Sequence, residues 1–152
     1  MSFDSLGLSQ PILDAIKRQG YDKPSPIQEK AIPIVLERKD MMAAAQTGTG
    51  KTIAYCLPLL QELSYSDQKN PRILILVPTR ELVVQVVETL ESLTQYISCR
   101  IVGVYGGKNI NTQKIKLQDG ADVVVATPGR LYDLALCRAL QLKGIKKLVI
   151  DE

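Results

Sequence analysis

The octapeptide Ala45-Gln46-Thr47-Gly48-Thr49-Gly50-Lys51-Thr52 lies between a short apolar run, Met41 to Ala45, and a segment with helical spacing, Thr52 to Leu63. Strand, glycine-rich loop and helix in that order form the context in which a loop wraps a phosphate chain. Gly48 and Gly50 lack a Cβ, so the backbone can turn its amides inward as a concave anion nest. The following helix aims the positive end of its dipole at the same place. Lys51 has the reach to meet β- and γ-phosphates, and the Thr52 hydroxyl suits coordination of Mg²⁺. The strict pattern opens with glycine, whereas Ala45 stands there in this chain. The bland alternative is a glycine-rich turn beside a solvated lysine, and Gly-Lys-Thr in this setting argues against it.

Working outward, four more apolar runs follow: Ile73 to Val77, Ile101 to Val104, Val123 to Ala126 and Leu148 to Ile150. Their lengths and β-branched residues suit strands buried on both faces, as in parallel sheets. Between them lie helical spacings such as Leu82, Val86, Leu90 and Leu93. The alternation predicts βαβ crossovers and an α/β fold, a doubly wound, mainly parallel sheet with flanking helices. Two helices are predicted ahead of the loop, Ser9–Gln19 and Pro26–Arg38, with Gly20 as a helix stop. The expected organisation is one domain over residues 1–152, a helical region at 1–39 leading into a phosphate-loop core at 40–152.

The last apolar run leads into Asp151-Glu152. Ligands of such sheets bind outside the carboxyl ends of the strands, where this pair would project. Asp151 suits Mg²⁺ held through water, because that ion prefers few protein carboxylates. Glu152 suits orienting or deprotonating an attacking water. Alone, an Asp-Glu pair is more often a turn or a solvated end; a phosphate loop in the same sheet favours the functional reading. A stop directly after a core strand suggests truncation.

Composition narrows the chemistry. The net charge of +3 permits a polyanionic partner without demanding one. The absence of histidine removes Ser-His-Asp and Cys-His mechanisms and disfavours zinc. Three cysteines without a CxxC pair suit a reducing compartment. No apolar run reaches membrane-spanning length and no signal-peptide pattern opens the chain, so a cytoplasmic setting without membrane contact is expected.

With these motifs in place, the chain resembles the N-terminal RecA-like domain of the DEAD-box RNA helicases over essentially its whole length. Gly20 to Gln28 resembles the Q motif, with Phe3 as its upstream aromatic, and Ala45 to Thr52 resembles motif I. Pro78-Thr79-Arg80-Glu81-Leu82 resembles motif Ia, Gly106-Gly107 the family's glycine pair, Thr127-Pro128-Gly129-Arg130 motif Ib, and Asp151-Glu152 the first half of Asp-Glu-Ala-Asp. The opening Met1 to Leu8 is similar to the bacterial branch. The resemblance implies ATP and Mg²⁺ as cofactors, RNA as partner, and a second RecA-like domain, absent here, that completes both sites. Nucleotide binding would then involve Phe3, Tyr21, Gln28, Gln46, Thr47, Gly48, Thr49, Gly50, Lys51 and Thr52. Thr52 and Asp151 would serve the metal, and Lys51 and Glu152 catalysis.

The residue types make physical sense in those roles. A Gln28 amide can pair with the N6 and N7 edge of adenine, and Tyr21 can stack on the base. The alternative makes Gln28 a first-turn helix residue and Tyr21 a core residue. Pro78, Thr79, Arg80, Gly106, Gly107 and Thr127 to Arg130 would share one rim and grip an RNA backbone without reading sequence. Against this, Thr79 and Thr127 could cap helices, Gly129 serve a turn and Arg80 form a surface ion pair. Val83 and Val84 depart from the alanine the family more often shows. An isolated piece without the second domain's arginines is expected to bind nucleotide weakly with little turnover. A binding module without catalysis is the alternative. A GTPase or nucleotide kinase is disfavoured, because Asn-Lys-x-Asp and an arginine-rich lid are both missing.

Overall fold

The computed structural model describes residues 1–152. Two compact units make up the chain, Met1–Ser64 with Thr89–Ser98, and Tyr65–Glu88 with Cys99–Glu152.

The second unit is built on four parallel strands, β1 (Ile73–Leu76), β2 (Ile101–Val104), β3 (Val123–Ala126) and β4 (Lys147–Ile150), in the order β2-β3-β1-β4. Register places Ile73 opposite both Val123 and Lys147, and Ile101 opposite Val123. The central strand reads Val-Val-Val-Ala and is buried throughout, as expected of a strand with helices on both faces. On one face Leu74, Val102 and Val124 pack with Leu117 of α5 (Ile110–Gln118) and Leu134 of α6 (Pro128–Leu136). On the other face lies α4 (Arg80–Leu93), and here Gly103 shows why its side chain is a hydrogen. A Cβ at that position would sit 2.9 Å from Val83 and 3.0 Å from Val87. Val83 is fully buried while Val84 is 40% exposed, so the Val83-Val84 departure is accommodated by core packing and by solvent.

The amino ends of β1, β2 and β3 are tied by one buried carboxylate. Asp122 accepts from Arg72 Nη2 at 2.8 Å, Arg100 Nη2 at 2.9 Å, Arg100 Nε at 3.2 Å and the Arg100 amide at 2.8 Å. Burial alone would raise its pKa, but the hydrogen bonds from Arg100 and Arg72 outweigh it and hold the carboxyl below the usual range. Beside it, burial first and Asp122 second push the Cys99 thiol up to about 12, which makes it a poor nucleophile.

The first unit is helical: α1 (Gln10–Arg18), α2 (Pro26–Leu36) and α3 (Lys51–Gln61), preceded by a 3-10 turn at Phe3–Leu6. Helix α1 starts after Ser9 with Pro11 in its first turn, buries Ile12, Leu13, Ala15 and Ile16, and is followed by Gly20 at φ 82°. Helix α3 buries every residue from Cys56 to Leu60 and packs on α2. Gln61 closes the unit, accepting from the Ser9 amide and donating to the Gly7 carbonyl, each at 2.7 Å. The last turn of α4 adds the buried Leu90 and Leu93. No helix is long and apolar enough to cross a membrane.

One expected strand is absent. Met41 to Ala45 is irregular, pairs with none of the four strands, and leaves Met42 99% exposed. A run of apolar residues carries strand propensity, but its amides form a ladder only where a neighbouring edge accepts them.

Because the Asp122 pKa is depressed in the folded state, its stabilisation is present above the unfolded carboxylate pKa and is lost as pH falls through the folded value. Asp122→Asn, which leaves two arginines facing a neutral amide, should cost about 3–5 kcal/mol at neutral pH. Chemical denaturation across pH checks this: the gap between wild type and variant should be full above about pH 4 and narrow below it. A gap independent of pH would assign the loss to packing alone.

Candidate functional site

The phosphate loop lies in the first unit and is shaped by two left-handed glycines, Gly48 at φ 83° and Gly50 at φ 87°. Gly50 is the N-cap of α3, so Lys51 and Thr52 occupy its first turn, both partly buried. The Thr49 amide donates to the Gln46 carbonyl at 3.3 Å and its hydroxyl bonds to the same oxygen, which tightens the bend. Gln46, Thr47 and Gly48 remain exposed. Nothing lies within 4 Å of the Cβ position at Gly48, whereas at Gly50 a Cβ would strike the Gln28 amide. Gly50 is therefore demanded twice, by backbone conformation and by close approach.

Gln28 is 5% exposed at the third position of α2. Its Oε1 accepts from the Ser25 amide at 2.9 Å, and its Nε2 donates to the Gly50 carbonyl at 3.2 Å. The helix-start role left open in the sequence is thus the one this side chain fills here, with a second bond into the phosphate loop. Ser25, the N-cap of α2, forms a capping box with Gln28, and its Oγ lies 3.1 Å from the Gly50 Cβ position, so the same helix start also crowds the phosphate loop. Tyr21 is 41% exposed and so is not a core residue, while Phe3 is 4% exposed within the 3-10 turn.

The second unit gathers the other motif residues. Pro78-Thr79-Arg80, Gly106-Gly107 and Thr127 to Arg130 begin within two residues of the carboxyl ends of β1, β2 and β3, which are neighbouring strands. Thr79 Oγ1 accepts from the Leu82 amide at 3.2 Å, so it does cap α4. Arg80 Nε lies 3.8 Å from Glu81, an exposed and therefore weak pair, and Arg80 Nη1 is 3.5 Å from the Cβ position of Gly107, a residue at φ 86°. Thr127 is the N-cap of α6 but makes no side-chain capping bond. Pro128 and Gly129 are exposed. Arg130 Nη1 donates to the Lys108 carbonyl at 3.1 Å and to Gln113 Oε1 at 3.0 Å. Gln113 Nε2 in turn donates to the Tyr105 carbonyl at 3.0 Å.

The buried Gln113 escaped sequence reasoning, although Ile110, Gln113 and Leu117 share one helical face, a spacing that marks an inward amide. It straps the glycine loop to α6, and the rim becomes a row of exposed backbone, hydroxyl and cationic groups suited to an anionic chain.

Asp151 follows β4, its amide donating to the Leu76 carbonyl at 2.9 Å; its side chain is partly buried and Glu152 is exposed. No group of three or more cysteines and acids gathers to hold a metal. Taken singly, a threonine hydroxyl such as that of Thr52 and a carboxylate such as that of Asp151 are hard oxygen donors, of the kind Mg²⁺ takes and zinc does not favour.

Comparison with known proteins agrees with this geometry. Residues 25–152 match the DEAD/DEAH box helicase family. The chain is 45% identical over 152 residues to the ATP-dependent RNA helicase DeaD of Escherichia coli (strain K12), covering 99% of itself and 24% of that relative. A DEAD box protein from the hyperthermophile Methanococcus jannaschii superimposes with a TM-score of 0.93 at 40% identity, over 100% of this chain and 41% of that one. The RNA-helicase Prp28 from Chaetomium thermophilum, solved bound to ADP, gives 0.91 at 39% identity over 99% of this chain and 38% of that one. The chain thus spans about a quarter of the curated relative's length, and with its glycine-shaped loop and parallel sheet it belongs to the DEAD/DEAH box helicase family.

Proposed function

We propose that this chain is the ATP-gripping half of an ATP-dependent RNA helicase that acts in the cytoplasm and couples hydrolysis to RNA binding and duplex separation. Residues 46 to 52 hold the phosphates through backbone amides, with Lys51 on the β- and γ-oxygens. Thr52 and Asp151 would supply oxygen ligands for Mg²⁺, which when bound would neutralise charge on the phosphates. Glu152 orients the attacking water and takes its proton. Gln28 reads adenine, Tyr21 stacks on the base, and Phe3 flanks the same region.

The rim residues Pro78, Thr79, Arg80, Gly106, Gly107 and Thr127 to Arg130 hold RNA by its phosphates and sugars, so the sequence of the RNA is not read. A second RecA-like domain of the same parent chain supplies the arginines that complete the ATP site. Their loss removes about 10³–10⁵-fold in turnover, which leaves this chain a weak nucleotide binder with little hydrolysis.

The observation that most supports this reading is the Gln28-to-Gly50 hydrogen bond, which ties the proposed base reader to the phosphate loop within one compact unit. The relative named an ATP-dependent RNA helicase and the structure solved with ADP point the same way.

A calorimetric series tests the nucleotide site. Lys51→Ala should lose most Mg·ATP affinity, by more than about tenfold, since a charge-assisted contact is removed, while its circular dichroism stays unchanged. Wild type should prefer ATP to GTP, and Gln28→Ala should erase that preference. Equal affinity for the two nucleotides in wild type would remove the adenine role from Gln28.

The module reading is separated by adding the second RecA-like domain in trans. RNA-stimulated phosphate release should rise well above that of either piece. Its absence with both pieces folded would favour a binding module.

A further inference from the structure

We propose that Gln113 and Arg130 are a positioning pair for RNA. They clamp the two peptides flanking Gly106-Gly107 so that the Gly106 and Asn109 amides aim outward at phosphate oxygens. The inference rests on the RNA rim proposed above and adds to it the Asn109 amide and the side chains that set the loop's geometry.

Gln113 is 5% exposed, and a side-chain amide so buried is stable only when both its ends are bonded. Its Nε2 donates to the Tyr105 carbonyl at 3.0 Å, and its Oε1 accepts from Arg130 Nη1 at 3.0 Å. The same Nη1 donates to the Lys108 carbonyl at 3.1 Å. Tyr105 and Lys108 stand on either side of the glycine pair, so one linked run of hydrogen bonds holds both flanks. The loop follows β2 and α6 follows β3, the two strands on the far side of β1 from β4.

Every peptide bond in the chain is trans, and in a trans peptide the C=O and N–H of one plane point in opposite directions. With the Tyr105 carbonyl turned in to Gln113, the Gly106 N–H of the same plane faces away from the strap. The Lys108 carbonyl, turned in to Arg130, does the same for the Asn109 N–H. Neither amide donates to another group of the chain, and both residues are exposed. Two backbone donors are thus fixed on the rim by a buried side chain, and such donors hold phosphate without reading a base. The strap needs a group that donates and accepts at once: glutamate lacks the donor, and methionine lacks both.

Amide spectra of the full chain, titrated with a short oligouridine strand, test this. In wild type the Gly106 and Asn109 amides should shift saturably, on the same curve as those of Arg80 and Gly129. Gln113→Met, similar in volume but without either bond, should weaken RNA binding by about tenfold, with Mg·ATP affinity unchanged. Gln113→Glu keeps the acceptor for Arg130 and loses the donor to Tyr105, so it should lose the Gly106 shift and retain that of Asn109, a selectivity that general loosening of the fold cannot produce. RNA shifts at Arg80 and Gly129 that bypass Gly106 and Asn109 in wild type would overturn the proposal and leave the rim standing. Full RNA affinity in folded Gln113→Met would do the same. No shift anywhere on the rim of a folded sample would overturn both.

Discussion

The Gly50 carbonyl accepts two hydrogen bonds, from the Ala54 amide at 3.0 Å and from the Gln28 side chain at 3.2 Å. The first begins α3 and the second fastens that beginning to α2. The second requires a residue with no side chain of its own, because a Cβ on Gly50 would strike the Gln28 amide, and the φ of 87° favours glycine as well. The run before the loop, Met41 to Ala45, belongs to no strand, so the loop is held from its helical side. Packing of α2 on α3 fixes where the helix dipole points, and Gln28 fixes how the loop enters it. A ligand that drew the Gln28 amide away would remove its bond to the Gly50 carbonyl and so loosen the loop as it bound.

The second unit meets a different constraint. Asp122 pulls Arg72 before β1 and Arg100 before β2 to the start of β3. With the strands level at that end, their carboxyl ends deliver Pro78, Gly106 and Thr127 to one rim. Arg130 and Gln113 then brace the glycine loop from α6. The rim offers exposed backbone, threonine hydroxyls and the Arg80 guanidinium, groups matched to a repeating phosphate and not to a base edge.

How far the sequence could be read depended on whether a signal was local. Val123 to Ala126 is apolar at every position because both faces are covered, and the run alone identifies a central parallel strand. Leu82, Val86, Leu90 and Leu93 likewise mark α4 by spacing, and Gly20 ends α1 through its left-handed backbone. Met41 to Ala45 misled because strand propensity says nothing about a partner edge. The Asp122 network was invisible for a related reason: Arg72 and Arg100 lie 50 and 22 residues from it along the chain. Thr79 was ambiguous because one hydroxyl serves a helix cap and a phosphate equally well, and in this structure it caps.

Assigned backbone amide spectra of the intact chain, titrated with Mg·ATP, test most directly whether the glycine-shaped loop grips a triphosphate. Amides of residues 46 to 52 should move first and furthest, with the Gln28 side-chain amide shifting alongside them and the same saturation curve describing both. Saturable shifts that bypass residues 46 to 52, or none at millimolar nucleotide in a folded sample, would contradict the account.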